Sequence, residues 1–557
     1  MPACINVTLP YEIAPNHGKD LRDWILEGHT FADLLELASN PDTSQQIVGS
    51  DELAAKLENG ENGDSADIKP NEALDDPHRL ARVNQQRYEV ITDGGKIRFW
   101  RDEWYCWKHN RYRKIQTKEF EAKVGWSIKQ EFDRANIEAQ LDYNERLKLG
   151  QLADGEERPV AKKVTRSLII NVIQSTASES VIGGNIELNY QLSSRQRRSW
   201  IAMQNGIVDV DALLDEQDID DVLLDHTPDW FSTICLPYAF DPDAECPCWE
   251  RFLERCMGGD QELMDVLQEW AGYCLLPDTS HQKFLINEGE GGNGKSVHLA
   301  AMEALLGIDN CSHVSLEKFG GRFDLTETIG KLANISGDMG EIDRICEGHL
   351  KSFTGGDRMF FDRKNITGIN CAPTARLMFN TNNRPRFNDK SGGIWRRLLL
   401  IPWDVTITPS ERVLGMDKVE WWQTSGELPG MFLWAIRGLY RLRMQKQFSY
   451  SRRIEEGINS YRREVNPTRE FLLEHVEECI GHKLRSEIIY RMYRKHTEAK
   501  GNTPMSDGQF GKEVKRCFPK SERKKGGSRN DRYWYYEGIH FSVDEIAGEK
   551  TDDATLF

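Results

Sequence analysis

The feature that most constrains the fold is a glycine-rich loop between an apolar strand, Phe284 to Ile286, and a helical pattern. Glycines in such a loop let backbone N–H groups turn inward onto phosphate oxygens, and the N-terminus of the following helix adds donors and a favourable dipole. Strand, loop and helix in this order are the context that a phosphate-binding loop requires. We therefore predict that a nucleotide is bound by Gly289, Glu290, Gly291, Gly292, Asn293, Gly294, Lys295 and Ser296.

Two side chains of this loop have separate tasks in phosphate chemistry. Lys295 is expected to reach the β- and γ-phosphates, and Ser296 is expected to ligate Mg²⁺. The predicted cofactors are therefore ATP and Mg²⁺.

An apolar strand farther along the chain ends in acidic side chains, in the stretch KLANISGDMGEID. Such a strand end is the expected position of the carboxylate that holds Mg²⁺ and polarises the attacking water. Asp338 is the preferred residue for both tasks. Glu341 is the second candidate for activating the water, since this base must lie near the γ-phosphate. Asn334, Ser336 and Gly337 interrupt the apolar run, which leaves the choice of carboxylate open.

Amide and guanidinium groups mark the next two predicted strands. The strand at residues 376–379 leads into Asn382, whose amide can hydrogen-bond the γ-phosphate or the attacking water. Arg396 and Arg397 stand just before another apolar strand, where a guanidinium can stabilise transition-state charge on the nucleotide of a neighbouring subunit. The sequence does not distinguish which arginine does so, and pairing with acids at a strand edge is the alternative.

These motifs, with LKSFTGGDRMFFDRKN before the Asn-tipped strand and RRLLLIPW after it, together resemble the superfamily 3 helicase module. Over about residues 200–445 the chain is most similar to the C-terminal helicases of phage and plasmid primases and of the poxvirus primase-helicase. The resemblance implies an α/β fold with an AAA+-like P-loop core, assembled as a hexameric ring that translocates on single-stranded DNA. It also implies a channel β-hairpin in the GGDRMFFDRKN region, with Arg363 and Lys364, and in addition Lys351, as DNA contacts.

The C-terminal end of the chain is basic although the whole chain has a net charge of −17. Three helices over residues 468–518, then a basic loop from Lys520 to Arg532 and aromatic strands, predict a winged helix, which the resemblance also implies. A basic block of this kind raises the affinity for phosphate backbones whatever the total charge. A protein-docking module is the alternative. The predicted contacts with duplex phosphates are Arg516, Lys524, Lys525, Arg529 and Arg532.

Composition and pattern divide the whole chain into five predicted regions. Residues 1–85 are an acidic, partly flexible region, and 86–200 form a small domain of β-hairpins and helices. Residues 201–280 are a helical lead-in (collar) domain, 281–445 the ATPase domain, and 446–557 the winged-helix domain. Aromatic and basic residues between Phe99 and Lys114 can stack on single-stranded bases, although aromatic hairpins are more often core. Asp209 and Asp211 lack a third acid or a histidine nearby, so no priming activity is expected.

No apolar run is long enough to span a membrane and no signal peptide begins the sequence, which predicts a cytoplasmic protein without a membrane partner. The leading hypothesis is an ATP-dependent DNA helicase that acts on single-stranded and forked DNA in the replication of a phage, plasmid or mobile element. Whether a separate primase or polymerase is a partner stays open. The alternative is an ATP-gated origin-binding scaffold or helicase loader that unwinds nothing itself.

Overall fold

A computed structural model describes residues 72–542, except residues 93, 322, 339–345, 365, 386, 388–391, 502 and 528–531 and the side chain of Asp338. It also gives the backbone of two short strands, β1 (Ile5–Val7) and β2 (Ser44–Gln46), which pair antiparallel. The chain forms two compact units, residues 1–82 and 83–557. Most of the predicted acidic region, residues 1–85, lies outside the described residues. Helix α1 spans Pro77–Ile91.

An aromatic three-stranded antiparallel sheet and two long helices follow. They are β3 (Ile97–Trp100), β4 (Glu103–Lys108), β5 (Arg111–Ile115), α2 (Thr117–Lys148) and α3 (Arg166–Ser180). Trp104 stacks on Phe120 with ring centroids 3.9 Å apart, and Trp100 and Tyr112 pack edge-on against Phe231. Because these rings are buried core residues, they are not available to stack on bases.

Two small antiparallel sheets and two short helices connect this region to the next. The elements are β6 (Tyr190–Gln191), β7 (Gln196–Arg197), β8 (Trp200–Ala202), β9 (Ile207–Asp209), α4 (Val210–Leu214), α5 (Ile219–Val222), β10 (Leu223–Leu224) and β11 (Trp230–Phe231). Asp209 caps α4 by accepting hydrogen bonds from two backbone N–H groups, and Asp211 pairs with Arg443 at 2.7 Å. Both acids therefore have structural partners.

The centre of the second unit is a five-stranded parallel sheet. Its strands are β12 (Phe284–Glu288), β13 (Cys311–Ser312), β14 (Ala333–Asp338), β17 (Arg376–Thr381) and β18 (Leu398–Pro402). The order across the sheet is β13-β14-β17-β12-β18, so β12 lies between β17 and β18. All six residues of β17 are buried, as expected of a strand covered on both faces. The C-terminal ends of β12, β14 and β17 meet at one sheet edge.

Helices cover this sheet and share its core with the region before it. They are α6 (Pro247–Met257), α7 (Gln261–Cys274), α8 (Lys295–Leu306), α9 (Glu347–Gly355), α10 (Val419–Thr424), α11 (Leu428–Gln445) and α12 (Arg452–Val465). Helices α7 and α11 cross so closely that a Cβ at Gly438 would lie 2.2 Å from the Gln268 carbonyl oxygen. One buried cluster runs from Ile201 to Ile454, which joins the helices to the sheet. No helix in the described part of the chain is long and apolar enough to cross a membrane.

A separate antiparallel hairpin lies between α9 and β17. Its strands are β15 (Met359–Phe361) and β16 (Ile369–Cys371). The predicted hairpin is therefore present in this stretch, while its role in a channel stays a prediction. Lys364 stands exposed in the connecting turn.

The C-terminal region has three helices, a three-stranded antiparallel sheet and its own buried core. Its elements are α13 (Pro467–His475), β19 (Val476–Arg485), α14 (Ser486–Ala499), α15 (Asp507–Cys517), β20 (Glu522–Gly526) and β21 (Tyr533–Phe541). Two strands differ from the sequence prediction. β19 occupies a stretch predicted to be helical, and β20 lies inside the predicted basic loop. Both pair with β21, and this long-range pairing outweighs local propensity.

Candidate nucleotide site and contact surfaces

A cavity of about 1010 Å³ opens at the C-terminal edge of the parallel sheet. The glycine-rich loop lines one side, Phe252 and Cys256 of α6 line another, and Leu414 lies at its rim. Asn382 lines it at the tip of β17, as Ser296 does on α8. This volume and mixed lining suit a nucleotide-sized ligand. Two of the predicted site residues, Ser296 and Asn382, are thus brought together with the loop.

Two glycines of the loop, Gly289 and Gly294, are required by its geometry. Gly294 has a φ of +95° and directly precedes α8, so its N–H and those of the first helical turn point toward the cavity. A Cβ at Gly294 would lie 2.7 Å from Cys256 Sγ, and one at Gly289 would lie 2.4 Å from the Trp403 carbonyl oxygen. The loop therefore forms a backbone cradle that any larger residue would fill, which fits a phosphate chain.

Lys295 begins α8 and is 6% exposed. Its ammonium donates to the carbonyl oxygens of Gly289 at 2.5 Å and Glu290 at 2.9 Å, and to Asn293 Oδ1 at 3.2 Å. The loop is fixed in turn by the segment after β18, since Asn293 Nδ2 donates to the Trp403 carbonyl oxygen at 2.6 Å. A buried ammonium held inside the cradle is suited to binding phosphate oxygens.

Of the two predicted carboxylates, Asp338 has a described backbone position. The backbone of Asp338 pairs with Asn380 of β17, which brings it to the same sheet edge as the loop. Its side chain, and the whole of Glu341, lie outside the described residues. β14 continues through the polar residues to Asp338, with a bulge between Ser336 and Asp338. Asn334 is buried, and its amide bonds to the backbone of Val314 and to Ser312.

Arg396 and Arg397 precede β18 and therefore lie at the sheet edge opposite the cavity. Arg397 is 8% exposed and donates to the Gly393 carbonyl oxygen at 2.8 Å, whereas Arg396 is exposed. Their backbone is tied to β12, since Lys283 Nζ donates to the Arg396 oxygen at 2.7 Å and Phe284 N to the Arg397 oxygen at 2.9 Å. Only Arg396 is placed to reach a neighbouring molecule.

Polar pairs that sequence reasoning missed also line or support the cavity. Arg255 and Glu411 face each other at its mouth with N–O distances of 2.7 and 3.1 Å. Arg255 lowers the pKa of Glu411 to about 2, so the ion pair persists at neutral pH. Asn287 and Asn380 are buried beneath the loop. A single asparagine near the end of each of two largely apolar strands was the available signal for the second pair.

On the hairpin, the two predicted DNA contacts have different surroundings. Lys364 is exposed, but Arg363 is only 5% exposed. The Arg363 guanidinium donates to the carbonyl oxygens of Thr367 at 2.8 Å and Arg101 at 2.9 Å, and it pairs with Glu103 at 3.2 Å. The prediction that Arg363 contacts DNA is corrected here, because its donors are used to attach the hairpin to the β3–β4 turn. Lys351 is half-buried on α9.

The predicted basic contacts of the C-terminal region also divide by their partners. Lys524 is held between Glu522 and Glu537, and Arg516 pairs with Glu513 at 3.0 Å. Lys525 is exposed with its ammonium 4.9 Å from the centre of the Trp534 ring. Arg532 is exposed, and Arg529 lies outside the described residues.

Three sequence families match separate parts of the chain. Residues 78–258 match the family described as D5 N terminal like. Residues 288–397 match a family of unknown function, DUF5906, and residues 466–542 match the RFX DNA-binding domain.

Two relatives are similar over different lengths. The uncharacterized mitochondrial protein ymf21 of Marchantia polymorpha is 31% identical over 124 residues, which is 20% of this chain and 68% of that protein. The putative helicase L207/L206 of Acanthamoeba polyphaga mimivirus is 20% identical over 351 residues, 58% of this chain. The chain spans 34% of the length of that helicase. Two solved apo structures of the NrS-1 C terminal region are also similar, each with a TM-score of 0.46 and with 11% and 10% sequence identity. Each match covers 83% of this chain and 99% of the solved chain.

Proposed function

Because the chain belongs to the family of the uncharacterized mitochondrial protein ymf21, whose name leaves its activity open, we propose a function from the site itself. The chain is an ATP-dependent DNA helicase of the superfamily 3 type, acting as a ring, with a hexamer as the expected size. It works in the cytoplasm in the replication of a phage, plasmid or mobile element. The observation that carries this proposal is the buried ammonium of Lys295 inside a glycine cradle at the cavity edge of a parallel sheet.

The order of the strands supports an AAA+-like core. The strand that leads into the glycine loop is flanked by β17, which is followed by Asn382, and by β18, which follows Arg396 and Arg397. The strand with the terminal acid lies next beyond β17. The glycine loop, Asp338 and Asn382 therefore lie at the C-terminal edge of the sheet, and Arg396 lies at the N-terminal edge.

Each residue then has a defined chemical task. Lys295 binds the β- and γ-phosphates, and Ser296 and Asp338 hold Mg²⁺, which when bound would neutralise charge on the phosphate oxygens. Asp338 or Glu341 accepts the proton of the attacking water, and Asn382 orients that water. Arg396 stabilises transition-state charge at the neighbouring subunit's nucleotide.

Three similarities support the nucleic-acid side of the proposal. Residues 78–258 resemble the D5 N terminal like family, and more than half of the chain resembles a putative viral helicase. The C-terminal helices and sheet have the content of a winged helix and match the RFX DNA-binding domain. In this scheme Lys364 of the hairpin contacts single-stranded DNA, and Lys525 and Arg532 contact duplex phosphates.

The same C-terminal match favours a second candidate function. A domain that binds duplex DNA beside an ATPase also suits an origin-binding scaffold that loads another helicase and unwinds nothing. Both functions need ATP, and only the first separates strands.

A forked-DNA unwinding assay with ATP and Mg²⁺ tests the proposal. The wild type should release the labelled strand, and Lys295→Ala should leave both unwinding and ATP hydrolysis at background, because the charge at the β/γ-phosphates is lost. Lys318→Ala, which removes an exposed lysine of the same domain, is the matched control and should match the wild type. Hydrolysis without unwinding would favour the scaffold, and an active Lys295→Ala enzyme would refute the site.

A further inference from the structure

Two asparagines face each other on neighbouring strands beneath the glycine loop. Asn287 of β12 is fully buried and Asn380 of β17 is 5% exposed, and the two are in register. The side-chain atoms of the pair approach to 2.9 Å, between Asn287 Nδ2 and Asn380 Oδ1. A buried amide is costly unless its donors and acceptors have partners, so this pair needs a chemical reason.

The direction of the bond between the two amides is set by a third residue. The oxygen and nitrogen of an asparagine side chain are assigned from their partners, so a partner that can only donate decides the matter. Trp403 is such a partner, and its Nε1 lies 2.8 Å from one terminal atom of Asn287. That atom must be Oδ1. The other terminal atom of Asn287 is therefore Nδ2, and the atom of Asn380 that faces it must be an oxygen.

His298 of α8 agrees with this assignment. Its Nδ1 lies 3.2 Å from Asn287 Nδ2 and so must accept, which requires an unprotonated Nδ1. The ring proton is then on Nε2, and Asn287 Nδ2 donates to both His298 and Asn380.

This assignment leaves the nitrogen of the Asn380 amide without a role in the pair. With Oδ1 used by Asn287, the end left over is Nδ2, and in the described part of the chain no oxygen accepts a hydrogen bond from it. Asn380 lines the nucleotide cavity, while Asn287 does not. The chain thus presents an N–H donor to the cavity from a position in register with both Asn287 and Asp338.

We propose that Asn380 is a second amide contact for the phosphate end of the nucleotide, and that Trp403, through Asn287, determines that its N–H end faces the phosphates. The inference rests on the proposed nucleotide site and adds a residue to it beside Asn382. Phosphate oxygens accept hydrogen bonds and do not donate them, so the same amide turned by half a rotation would repel the ligand. Asn287 and Trp403 are positioning residues.

The first test replaces Asn380 itself. Asn380→Ala should lower kcat/KM for ATP by about tenfold or more, since a preorganised donor is lost. Asn380→Asp keeps the shape but turns an acceptor toward the phosphates, and it should lose more than Asn380→Ala. The affinity for ADP, measured with a fluorescent analogue, should change by less than the affinity for ATP, because the contact is placed toward the end of the phosphate chain.

The second test leaves Asn380 in place and reverses its amide. In Asn287→Asp one carboxylate oxygen still accepts from Trp403, but the other cannot donate to Asn380, which must turn its nitrogen inward. The loss should exceed that of Asn380→Ala, because a carbonyl oxygen then faces the phosphates, and the double variant Asn287→Asp/Asn380→Ala should lose no more than Asn287→Asp alone. Trp403→Phe removes the directing N–H together with part of a buried ring and should give a smaller loss in the same parameter.

A matched buried asparagine separates positioning from stability. Asn334→Ala also removes an amide from the sheet, but this amide bonds only to the backbone of Val314 and to Ser312. It should lower the unfolding temperature and leave kcat/KM per folded molecule unchanged.

These variants test the role of Asn380 separately from the proposed nucleotide site at Lys295. If Lys295→Ala is inactive while Asn380→Ala and Asn380→Asp turn over ATP at the wild-type rate, the inference is overturned and the site stands. If Lys295→Ala is active, both are overturned. If Asn287→Asp does not fold, Asn380→Ala and Trp403→Phe decide, and a normal kcat/KM in both overturns the inference.

Discussion

The cavity that is proposed to bind a nucleotide and the basic surfaces of the molecule hold their charged groups in different ways. At the cavity, Lys295 is buried and fixed by carbonyl oxygens of its own loop. On the hairpin and on strand β20, Lys364 and Lys525 are exposed. In a buried site the backbone sets the position of each group, so the spacing of a sequence motif predicts which residues form the site. On a surface, a neighbouring cation of the same type can be either a ligand contact or a structural clamp.

Arg396 and Arg397 offer the sharpest test of this contrast, since one is exposed and the other is buried. Arg396→Ala should lower the rate of ATP hydrolysis by about 10³, the usual worth of an arginine that acts on a neighbour's nucleotide, and should leave the unfolding temperature unchanged. Arg397→Ala should instead lower the free energy of unfolding, because a buried charged hydrogen bond is lost. Hydrolysis assays and thermal melts of the two variants measure the difference.

Mixing subunits shows whether Arg396 acts on another subunit. Inactive Arg396→Ala and inactive Lys295→Ala should recover activity when mixed, because an intact loop in one subunit then meets an intact arginine from the other. If mixed oligomers form by size measurement and remain inactive, Arg396 does not act across an interface.

The acid at the end of β14 should give the next largest effect. Asp338→Asn should leave ATP binding intact but slow hydrolysis by about 10², because the group that orients the metal and water loses its charge. Steady-state hydrolysis and equilibrium nucleotide binding measure the two properties separately. A normal rate in Asp338→Asn together with a slow Glu341→Gln would move this task to Glu341.

The hairpin allows a smaller test within one dipeptide. Lys364→Ala should reduce the dependence of single-stranded DNA affinity on salt by about 0.7 in log–log slope, the value for one lost phosphate contact. Arg363→Ala should lower the free energy of unfolding by about 2 kcal/mol, because its bonds to Thr367 and Arg101 are lost. An unchanged stability in Arg363→Ala would remove the distinction between clamp and contact.

The smallest effect is expected on the C-terminal strands. Lys525→Ala should reduce the salt dependence of duplex binding by about 0.9 in log–log slope. Lys524→Ala should have less effect, since Glu522 and Glu537 already neutralise its charge. Fluorescence anisotropy over a salt series measures both, and equal slopes would show that these ion pairs open freely on binding.

Local patterns predict much of the fold. Contiguous apolar strands, a glycine loop and a following helix predicted β12 and α8 at the observed positions, because such a run is buried on both faces. β19 was missed because most of its residues are exposed and it lacks a buried apolar run, and only pairing with β21 makes it a strand.

The candidate site shows the same limit. The cradle residues follow from spacing along the chain, but Asn287 and Asn380 meet only because β12 and β17 are neighbours in the sheet. Likewise, nothing local separates Arg363 from Lys364. The burial of Arg363 depends on Arg101 and Glu103, which belong to a distant hairpin in the sequence.

The hydrogen bonds that tie Arg396 and Arg397 to the start of β12 have a thermodynamic consequence. Lys283 and Phe284 bind the arginine backbone at one end of this strand, and the glycine loop begins at its other end. In the proposed ring, a stiff strand thus joins the site that a subunit fills to the arginine that it offers to its neighbour. Coupling between two binding events is reciprocal, so each subunit's occupancy should change the affinity of the next. Hydrolysis should then depend cooperatively on ATP concentration.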